Sequence, residues 1–315
     1  MKKELLFSFA SPSRDDLNVY GFRFGKPGGD RIAIISGLNG EEVAGVFAAS
    51  QLVRYLEISL QHNPDFVQSE ILIIPAVNHF GLNMGHRYWP LDNVDINAMF
   101  PGYEKGETTQ RIAHRLFEHL KDMTYGIIIE DRKDKATCIP YVKLIESGLE
   151  DVEGAKKFGL PFVHLKRYNP VDSGSLQYNL EVWETKAYSI VLGNQNKILK
   201  EDVQNALDGI IRFLSSVKAI QNTPYGGYQS EVVDRNDIFV IKAKHAGIFK
   251  SSVNPGDKVQ TDQVLGFIFD PLDGTVRDKL VAEQSGVLTC MYNYPLIYEQ
   301  TILFRIAKTS KRDYQ

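Results

Sequence analysis

The stretch of sequence that decides the fold runs from residue 31 to residue 60, RIAIISGLNGEEVAGVFAASQLVRYLEISL. It begins with Arg31–Ser36, a short Ile-rich run followed by Gly, which is typical of a buried strand. Glu41–Leu60 follows, with apolar residues at helical spacing. A buried strand that leads through a short turn into a long helix indicates a fold in which strands and helices alternate.

The same alternation continues as far as about residue 217. Four more short runs, rich in Ile and Val, predict buried strands: Glu70–Val77, Tyr125–Glu130, Pro161–Lys166 and Ala187–Leu192. Three further helical patterns lie at Thr108–Leu120, Ser175–Thr185 and Lys200–Val217. We therefore predict an α/β fold, with a mostly parallel sheet and helices on both of its faces.

The character of the sequence changes at residues 221–227, QNTPYGG, a Pro- and Gly-rich linker candidate. Beyond it the chain shows no long helical pattern, only short strand-like runs: Ile238–Ala243, Gln263–Phe269, Gly286–Met291 and Thr301–Ile306. At 315 residues the chain exceeds the usual size of one core. We predict an α/β domain over residues 1–222 and a small all-β barrel or sandwich over residues 223–315.

The composition is that of an ordinary globular protein, since 43% hydrophobic and 24% charged residues argue against disorder. A net charge of -3 supplies no basic surface for a polyanion, so nucleic acid is not an expected partner. No signal peptide is expected, because the apolar run Leu5–Phe9 is short and acidic residues follow it. No stretch approaches the roughly 20 apolar residues that a membrane span needs, and the cytoplasm is the default location. Cys138 and Cys290 lie far apart and are expected to be free thiols.

The turn after the first buried strand carries polar residues with the spacing of a metal site. Asn39 and Glu42 lie three residues apart at the start of a helix, so both side chains can point at one ion. In open α/β sheets functional groups gather at the carboxyl ends of the strands, where this turn lies. The alternative is that Asn39 and Glu42 cap the first turn of the helix, where such residues are favoured.

More motif residues follow the next strand. They are Asn78-His79-Phe80-Gly81, Arg87, and residues 95–102, Asp-Ile-Asn-Ala-Met-Phe-Pro-Gly. Gly174-Ser175-Leu176 and the strand that ends at Gly193 complete the set. In order and spacing these segments resemble the succinylglutamate desuccinylase/aspartoacylase family. The resemblance implies a zinc-carboxypeptidase-like fold, zinc as the cofactor, and hydrolysis of amide bonds.

The resemblance also implies a role for each motif position. The family's three zinc-ligand positions correspond to Asn39, Glu42 and Arg132, and the position of its general base, a Glu, corresponds to Val191. Arg87 matches the Arg that polarises the scissile carbonyl. Asn97 and Ala98 match an Asn-Arg pair that holds the substrate's carboxylate. The family's chemistry can thus be compared with this chain residue by residue.

The residue types at four of these positions do not suit that chemistry. Asn39 offers a neutral amide oxygen, a poorer zinc donor than imidazole, and the Arg132 guanidinium has no lone pair to give. Val191 cannot move a proton, and Ala98 cannot hold a carboxylate. Glu42 is the only expected zinc ligand that remains, and Arg132 is predicted to pair with it in place of the metal.

The C-terminal region is similar to the family's second domain and to biotinyl/lipoyl-type barrels. The similarity lies in Gly247-Ile248-Phe249, in residues 253–259 with their Gly-Asp-x-Val turn, and in Leu265-Gly266. It implies a lid or an interface beside the pocket. Lys279 is expected to be an ordinary surface lysine, because its distance from the next turn does not suit a carrier hairpin.

These observations lead to one leading hypothesis of function and two alternatives. The leading one is a non-catalytic or repurposed protein that binds an acidic small molecule or a partner without zinc, through Arg87, Arg132 and Asn97. The first alternative is a metal-dependent hydrolase of N-acyl amino acids or peptide-like amides, with a remodelled metal site that uses His79 and His86, or oxygen donors from Glu130 and Asp131. The second is an interaction subunit that pairs with an active paralogue or with its own copies.

Overall fold

The protein is described here by a computed structural model that covers residues 1–11, 15–132, 134–193, 197–224 and 226–308. The chain packs as two compact units. The first unit is built from the described parts of Met1–Asp131, Pro140–Leu192 and Asn196–Ser230. The second unit is built from Arg132–Ile139, Gly193 and the described residues from Glu231 onward. The division expected from the sequence lies at residue 222 and does not include the early segment Arg132–Ile139.

Strands and helices alternate along the first two thirds of the chain. In chain order they are β1 Lys2–Phe9, β2 Leu17–Phe24, β3 Arg31–Ser36, α1 Val43–His62, β4 Glu70–Ile74, α2 His79–Met84, α3 Thr108–Leu120, β5 Tyr125–Asp131, β6 Ala136–Cys138, β7 Tyr141–Glu146, α4 Val152–Lys156, β8 Phe162–Arg167, α5 Leu176–Val182, β9 Lys186–Leu192 and α6 Lys200–Ser216. Short 3-10 segments lie at Ile96–Ala98 and Pro170–Gly174.

The first unit is organised around one sheet in the strand order β1-β2-β4-β3-β5-β9-β7-β8. Its centre is parallel: β3 pairs with β4 and β5, and β5 pairs with β9. The β7 and β8 pair is also parallel, whereas β7 runs antiparallel to β9 and the β1–β2 hairpin is antiparallel. The predicted α/β fold with a mostly parallel sheet is therefore confirmed.

Helices cover both faces of this sheet because side chains along a strand alternate between the faces. On β3, Ile32 and Ile34 pack with α1 and α6 in one apolar cluster, while Ala33 and Ile35 pack with α3 and α5 in another. A strand buried on both faces reads as a continuous apolar run, which is why Arg31–Ser36 was recognisable in the sequence. The carboxyl end of β3 thus lies between two layers of helices.

Apart from a 3-10 segment at Arg235–Asp237, the regular elements in the described part of the second unit are β-strands. Besides β6 it contains β10 Glu231–Val233, β11 Ile238–Lys242, β12 Gly247–Ser251, β13 Lys258–Val259, β14 Val264–Phe269, β15 Val276–Val281, β16 Gly286–Tyr292, β17 Leu296–Ile297 and β18 Ile302–Ala307. One antiparallel sheet has the order β11-β18-β16-β13 with β6 paired to β16, and the other has the order β15-β14-β12-β17. A shared apolar core that includes Leu265, Ile268 and Phe304 joins them.

The two cysteines differ from the expectation drawn from the sequence. Cys138 on β6 and Cys290 on β16 form a disulfide, so the prediction of free thiols is wrong for this structure. The residues are 152 positions apart in the chain, but the antiparallel β6–β16 pairing makes them direct partners with Cα atoms 4.0 Å apart. Only the pairing of the two strands brings the thiols together, and sequence spacing contains no sign of it.

One helix of the described chain, α1, is long and apolar enough to cross a membrane by length and composition alone. This differs from the expectation that no stretch approaches that limit. Leu52 and Leu56 of α1 are fully buried in the apolar core, and the core helix of a globular protein passes the same test. The absence of a membrane partner stays a prediction.

Candidate functional site

The turn between β3 and α1 brings Asn39 and Glu42 into direct contact. Both residues are buried, with 3% and 4% of their surface exposed. The Asn39 side-chain Nδ2 donates a hydrogen bond to Glu42 Oε1 at 2.9 Å, and the Asn39 backbone N–H donates to Glu42 Oε2 at 3.2 Å. Asn39, at the first predicted ligand position, therefore donates hydrogen bonds to Glu42, at the second.

This contact determines the orientation of the Asn39 amide. An ionised carboxylate can only accept hydrogen bonds, so the amide nitrogen faces Glu42 and Oδ1 points away from it. Asn39 Oδ1 is buried without a hydrogen-bond partner among the described residues. A zinc ion shared by these two side chains would instead need both to present oxygen lone pairs to it. The arrangement at Asn39 and Glu42 does not fit zinc.

The start of α1 is held by a carboxylate that the sequence did not indicate. Glu42 occupies the cap position, but its side chain makes no capping hydrogen bond, so the predicted capping role is wrong. Asp131, the last residue of β5, accepts hydrogen bonds from the backbone N–H groups of Ala44 at 3.0 Å and Gly45 at 2.8 Å. Burial raises the pKa of the Asp131 carboxyl to about 6, against the opposite effect of these two hydrogen bonds.

Val191, the residue predicted to match the family's general base, is apolar and buried. Val191 lies on β9, where its Cα partners are Glu130 on β5 and Tyr141 on β7. Glu130, one strand away from Val191, forms an ion pair with Lys143 on β7. Burial lowers the pKa of the Lys143 ammonium, but the Glu130 carboxylate outweighs burial and the pKa is raised. The carboxylate next to the base position is thus held in an ion pair.

A buried polar network centred on Gln177 of α5 lies next to Lys143. Gln177 accepts a hydrogen bond from Ser189 Oγ at 2.9 Å and donates to the Lys143 carbonyl at 3.3 Å. It also donates to Glu181 Oε1 at 3.2 Å, and Ser147 Oγ donates to Glu181 Oε2 at 2.9 Å. Burial raises the pKa of the Glu181 carboxyl to about 7. Sequence reasoning missed this network, because Gln and Glu four residues apart also describe a solvated helix face.

The loop that carries Arg87 packs against the β3–α1 turn. The Arg87 carbonyl accepts hydrogen bonds from the Gly40 N–H at 3.1 Å and from Asn78 Nδ2 at 3.2 Å. The Arg87 side chain is partly exposed, and its Nη2 lies 3.4 Å from Asp95 Oδ2. Its Nε–H is buried without a hydrogen-bond partner among the described residues. One guanidinium nitrogen is therefore weakly paired, and another is unpaired.

Asn97 and Ala98 lie in the next part of the same loop. Asn97 Oδ1 accepts a hydrogen bond from the Leu176 N–H at the start of α5, at 2.9 Å, and its amide nitrogen is not used in that contact. Ala98 is exposed, and its carbonyl lies so close to Gly174 that a Cβ there would approach it to 2.4 Å. These contacts hold the loop against α5, so Asn97 has a structural role as well as its expected role in binding.

Arg132 belongs to the second unit. Its guanidinium pairs with Asp134, with Nη2 at 2.7 Å from Asp134 Oδ2, and Asp134 also accepts a hydrogen bond from Arg305 at 3.1 Å. These contacts link Arg132 to β18 through one carboxylate. The expected pairing of Arg132 with Glu42 stays a prediction.

Within the described ranges, no group of three or more His, Cys, Asp or Glu side chains could hold a metal ion. His79 packs edge-on against Trp89, and burial lowers the pKa of its imidazole. His86 Nδ1 lies 3.2 Å from the Tyr88 carbonyl. The remodelled metal site that was the alternative expectation therefore has no assembled ligand set in the part of the chain that the structure describes.

The fold and the order of the site residues define a hydrolase-type scaffold of the carboxypeptidase-like class. The sequence model of the succinylglutamate desuccinylase/aspartoacylase catalytic domain matches residues 28–217, more than half of the chain. The chain therefore belongs to the succinylglutamate desuccinylase/aspartoacylase family, as the motifs predicted.

Individual relatives share 19–25% sequence identity with this chain. The chain is 25% identical to the N-alpha-acetyl-L-2,4-diaminobutyric acid deacetylase of Halomonas elongata, over 84% of this chain and 78% of that protein. Among solved structures, a succinylglutamate desuccinylase/aspartoacylase from Rhodobacter sphaeroides matches with a TM-score of 0.75 at 21% identity, over 94% of this chain and 91% of that one. A product-bound ectoine utilization protein from Ruegeria pomeroyi matches with a TM-score of 0.74 at 19% identity, over 98% of this chain and 95% of that one.

Proposed function

We propose that this protein is a repurposed member of its family that binds an acidic small molecule without zinc and does not hydrolyse amides. The observation that carries the proposal is the contact between Asn39 and Glu42. Glu42 is the one family zinc ligand that remains, and its carboxylate accepts two hydrogen bonds from the residue at the neighbouring ligand position. A carboxylate used in this way, beside an amide turned to donate, does not form a zinc site.

The proton-transfer position supports the same conclusion. Val191 has no titratable group, and the neighbouring carboxylate of Glu130 is engaged by Lys143. General-base catalysis contributes roughly 10²–10⁴-fold to a rate, so its loss alone would leave little of a hydrolase's activity. Two separate requirements of the family's reaction, a metal and a base, are thus unmet by the residues present.

The proposed anion binding depends on Arg87 and Asn97, which lie in one loop. Arg87 carries a permanent positive charge, and the Asp95 carboxylate lies 3.4 Å away, at the long limit of a charge-assisted hydrogen bond. Asn97 keeps an amide nitrogen that can donate two hydrogen bonds. Donors of these two kinds suit a carboxylate, and each is held in place by backbone contacts of the first unit.

The test is metal analysis and titration of protein purified without added zinc. We expect less than about one tenth of an equivalent of zinc, since a structural or catalytic site would be filled close to one. We also expect binding of small carboxylates, lost in Arg87→Ala, and no hydrolysis of a panel of N-acyl amino acids and short peptides. Stoichiometric zinc together with turnover that chelation removes would overturn the proposal.

A metal-dependent hydrolase of N-acyl amino acids or peptide-like amides is the second candidate. It is favoured by the 25% identity to a deacetylase and by the retention of Glu42. It requires amide hydrolysis that is abolished by Glu42→Ala. The same activity should be unaffected by Glu41→Ala, a substitution of the neighbouring acidic residue. The further possibility, an interaction subunit, predicts co-purification with an active paralogue or stable self-association on size-exclusion chromatography.

A further inference from the structure

The sheet β15-β14-β12-β17 has one face in the core of the second unit and one face on the surface. Phe249, Ile268 and Leu280 point into the core, since they belong to its buried apolar cluster. Successive side chains on a strand point to opposite faces, so the residues next to these three on their strands point outward. In an antiparallel sheet with one solvated face the outward positions are normally polar. Several of the outward positions here are apolar instead.

One row of outward side chains crosses all four strands of this sheet. Leu296 on β17 is the register partner of Ile248 on β12. Ile248 is also the partner of Phe269 on β14, which is in turn the partner of Val276 on β15. Direct partners in an antiparallel pair lie side by side on the same face. Leu296, Val276 and Ile248 are 66%, 55% and 37% exposed, and these four residues are called the apolar row below.

Phe267 and two lysines lie on one side of the apolar row. The ring of Phe267 lies 6.1 Å from the ring of Phe269, centroid to centroid, so it extends the apolar surface along β14. The register partners of Phe267 are Lys250 and Lys279, and both are exposed. Within the described ranges neither lysine forms an ion pair. This side of the row therefore carries an aromatic ring and two unpaired positive charges.

The turn between β14 and β15 lies on the other side of the apolar row, because it joins Phe269 to Val276. Leu272 in this turn is 93% exposed. Asp273 Oδ1 accepts hydrogen bonds from the N–H and the hydroxyl of Thr275, at 2.9 and 2.7 Å. Its Oδ2 accepts none from the described part of the chain. This side of the row therefore carries an exposed apolar side chain and a carboxylate with a free oxygen.

We infer that two copies of this chain associate face to face through this sheet. A twofold axis along the apolar row places each of its residues against the same residue of the second copy and exchanges the two sides of the row. Phe267 then faces Leu272 of the second copy, since both lie toward β14. Lys279 faces Asp273 of the second copy, since both lie toward β15. Each of these contacts occurs twice, which is the self-complementarity that a symmetric interface requires.

The charges favour a second copy over other occupants of this face. A uniformly acidic partner or an anionic membrane would attract Lys250 and Lys279 but would repel Asp273. A second copy supplies both signs in the required order, and its apolar row covers the apolar row of the first. Exposed apolar patches with a polar rim are typical of protein interfaces. The inference goes beyond the proposed function and does not depend on it, because none of these residues belongs to the candidate site.

The first experiment measures the dimerisation constant of the full chain by sedimentation velocity over a concentration series. We expect the unchanged protein to dimerise. Leu296→Asp buries one carboxylate from each copy in the apolar row and should weaken dimerisation roughly 100-fold. Leu149→Asp changes a leucine of the first unit that is 57% exposed, and it should leave the constant unchanged. Unchanged thermal unfolding of the Leu296 variant will show that the sheet stays folded.

A charge exchange tests the twofold arrangement itself. Lys279→Asp places two carboxylates opposite each other at both ends of the pairing and should weaken dimerisation about tenfold. Addition of Asp273→Lys to that variant restores opposite charges and should return the constant to within about threefold of its original value. Hydrogen exchange in β12 and β14 should slow as the dimer forms, which reports on the same face without any substitution.

Each other outcome overturns the inference. A chain that stays monomeric at every concentration has no such interface, and ligand binding through Arg87 would be unaffected by that result. A dimer that survives Leu296→Asp forms through another surface. A dimer that the charge exchange does not restore lacks the proposed symmetry. A monomer that binds vesicles of anionic lipid, and loses that binding in Leu296→Asp, would assign the face to a membrane.

Discussion

The turn after β3 and the segment after β5 both leave the carboxyl end of a core strand, yet different contacts hold them. In the first, Asn39 and Glu42 bond to each other, and Gly40 bonds to Arg87 of the same unit. The second, Arg132–Ile139, belongs to the other unit and is held by Asp134, Arg305 and the Cys138–Cys290 disulfide. The two segments are thus held by different contacts, each within its own unit.

Asp131 and Arg132 are neighbours that mark the change from one region to the other. Asp131 accepts the hydrogen bonds that hold the start of α1, whereas Arg132 pairs with Asp134 in the second unit. Two adjacent residues thus take part in separate sets of contacts, one in each unit. Variants on either side of this peptide bond can therefore test whether the two regions are independent.

The largest effect is expected from the disulfide. The double variant Cys138→Ala, Cys290→Ala removes a cross-link between residues 152 positions apart and should lower the free energy of unfolding by about 3–5 kcal/mol. Denaturation in urea measures this loss. Hydrogen exchange should accelerate in β6 and β16 and stay unchanged in α1.

Reduction of the unchanged protein should reproduce that loss, and the double variant should be insensitive to reductant. Alkylation and mass spectrometry of freshly purified protein will show whether the thiols are oxidised. A stable disulfide is typical of an oxidising compartment, so an oxidised pair would argue against the cytoplasmic location expected from the sequence. Two free thiols in the absence of reductant would contradict the disulfide.

The next largest effect is expected at Asp131. Asp131→Ala leaves two buried backbone N–H groups at the start of α1 without an acceptor, at a cost of about 2–4 kcal/mol. Hydrogen exchange at Ala44 and Gly45 should accelerate. Asp134→Ala is the matched control, because that partly exposed carboxylate should contribute about 0–1 kcal/mol and affect only the second unit. Equal disturbance of α1 by both variants would show that the two regions are coupled.

A third variant tests α5, a part of the scaffold outside both segments, through pH. The pKa of Glu181 is about 7 in the folded protein and 4.5 ordinarily, so the unfolded chain ionises first as the pH rises. Stability from this group is present below pH 4.5 and is lost as the pH rises toward 7, by about 1–3 kcal/mol.

Glu181→Gln should remove that loss, so the variant should be more stable than the unchanged protein at pH 8 and nearly equal to it at pH 4.5. Urea denaturation at both pH values measures the difference. Glu184→Gln, an exposed residue in the turn after the same helix, should show no comparable difference. A Glu181 variant that is less stable at pH 8 would mean that the ionised carboxylate is stabilised in the buried network.

The smallest effect is expected from Asn97→Ala. The variant removes the acceptor for the Leu176 N–H at the start of α5 and should cost about 1 kcal/mol, as the loss of a helix cap does. Asn83→Ala, an exposed Asn on α2, should change stability by less than about 0.5 kcal/mol. An Asn97 variant with unchanged stability would limit that residue to ligand binding.

Much of the first unit was predictable because its elements follow local patterns. Arg31–Ser36 and Thr108–Leu120 have the predicted bounds, and Ala187–Leu192 differs from β9 by one residue. The β1–β2 hairpin was missed, since its strands are partly exposed and the apolar run Leu5–Phe9 in β1 is short. The strand β7 was missed as well, because Lys143 interrupts its apolar run; in the structure this lysine forms an ion pair with Glu130.

The candidate site was predictable as a set of residue types and positions, and less so as a set of contacts. The sequence identified Asn39, Glu42, Arg87 and Asn97 as neighbours of a strand end. It did not identify Asp131 as the acceptor for α1 or Gln177 as the centre of a buried network. Both depend on which side chains a sheet register brings together, and a register of distant strands has no local signature.

The sequence by itself determined which residue types occupy the predicted motif positions, and the ability to ligate a metal or move a proton belongs to each residue type. Asn39, Ala98, Arg132 and Val191 lack the required groups whatever surrounds them. Only the tertiary structure decided that Glu42 orients the Asn39 amide, that Arg132 pairs with Asp134, and that Cys138 meets Cys290. Hydrogen bonds, ion pairs and disulfides require atoms within a few ångströms of each other. For Cys138 and Cys290, which are 152 residues apart, this proximity arises only when distant parts of the chain have packed together.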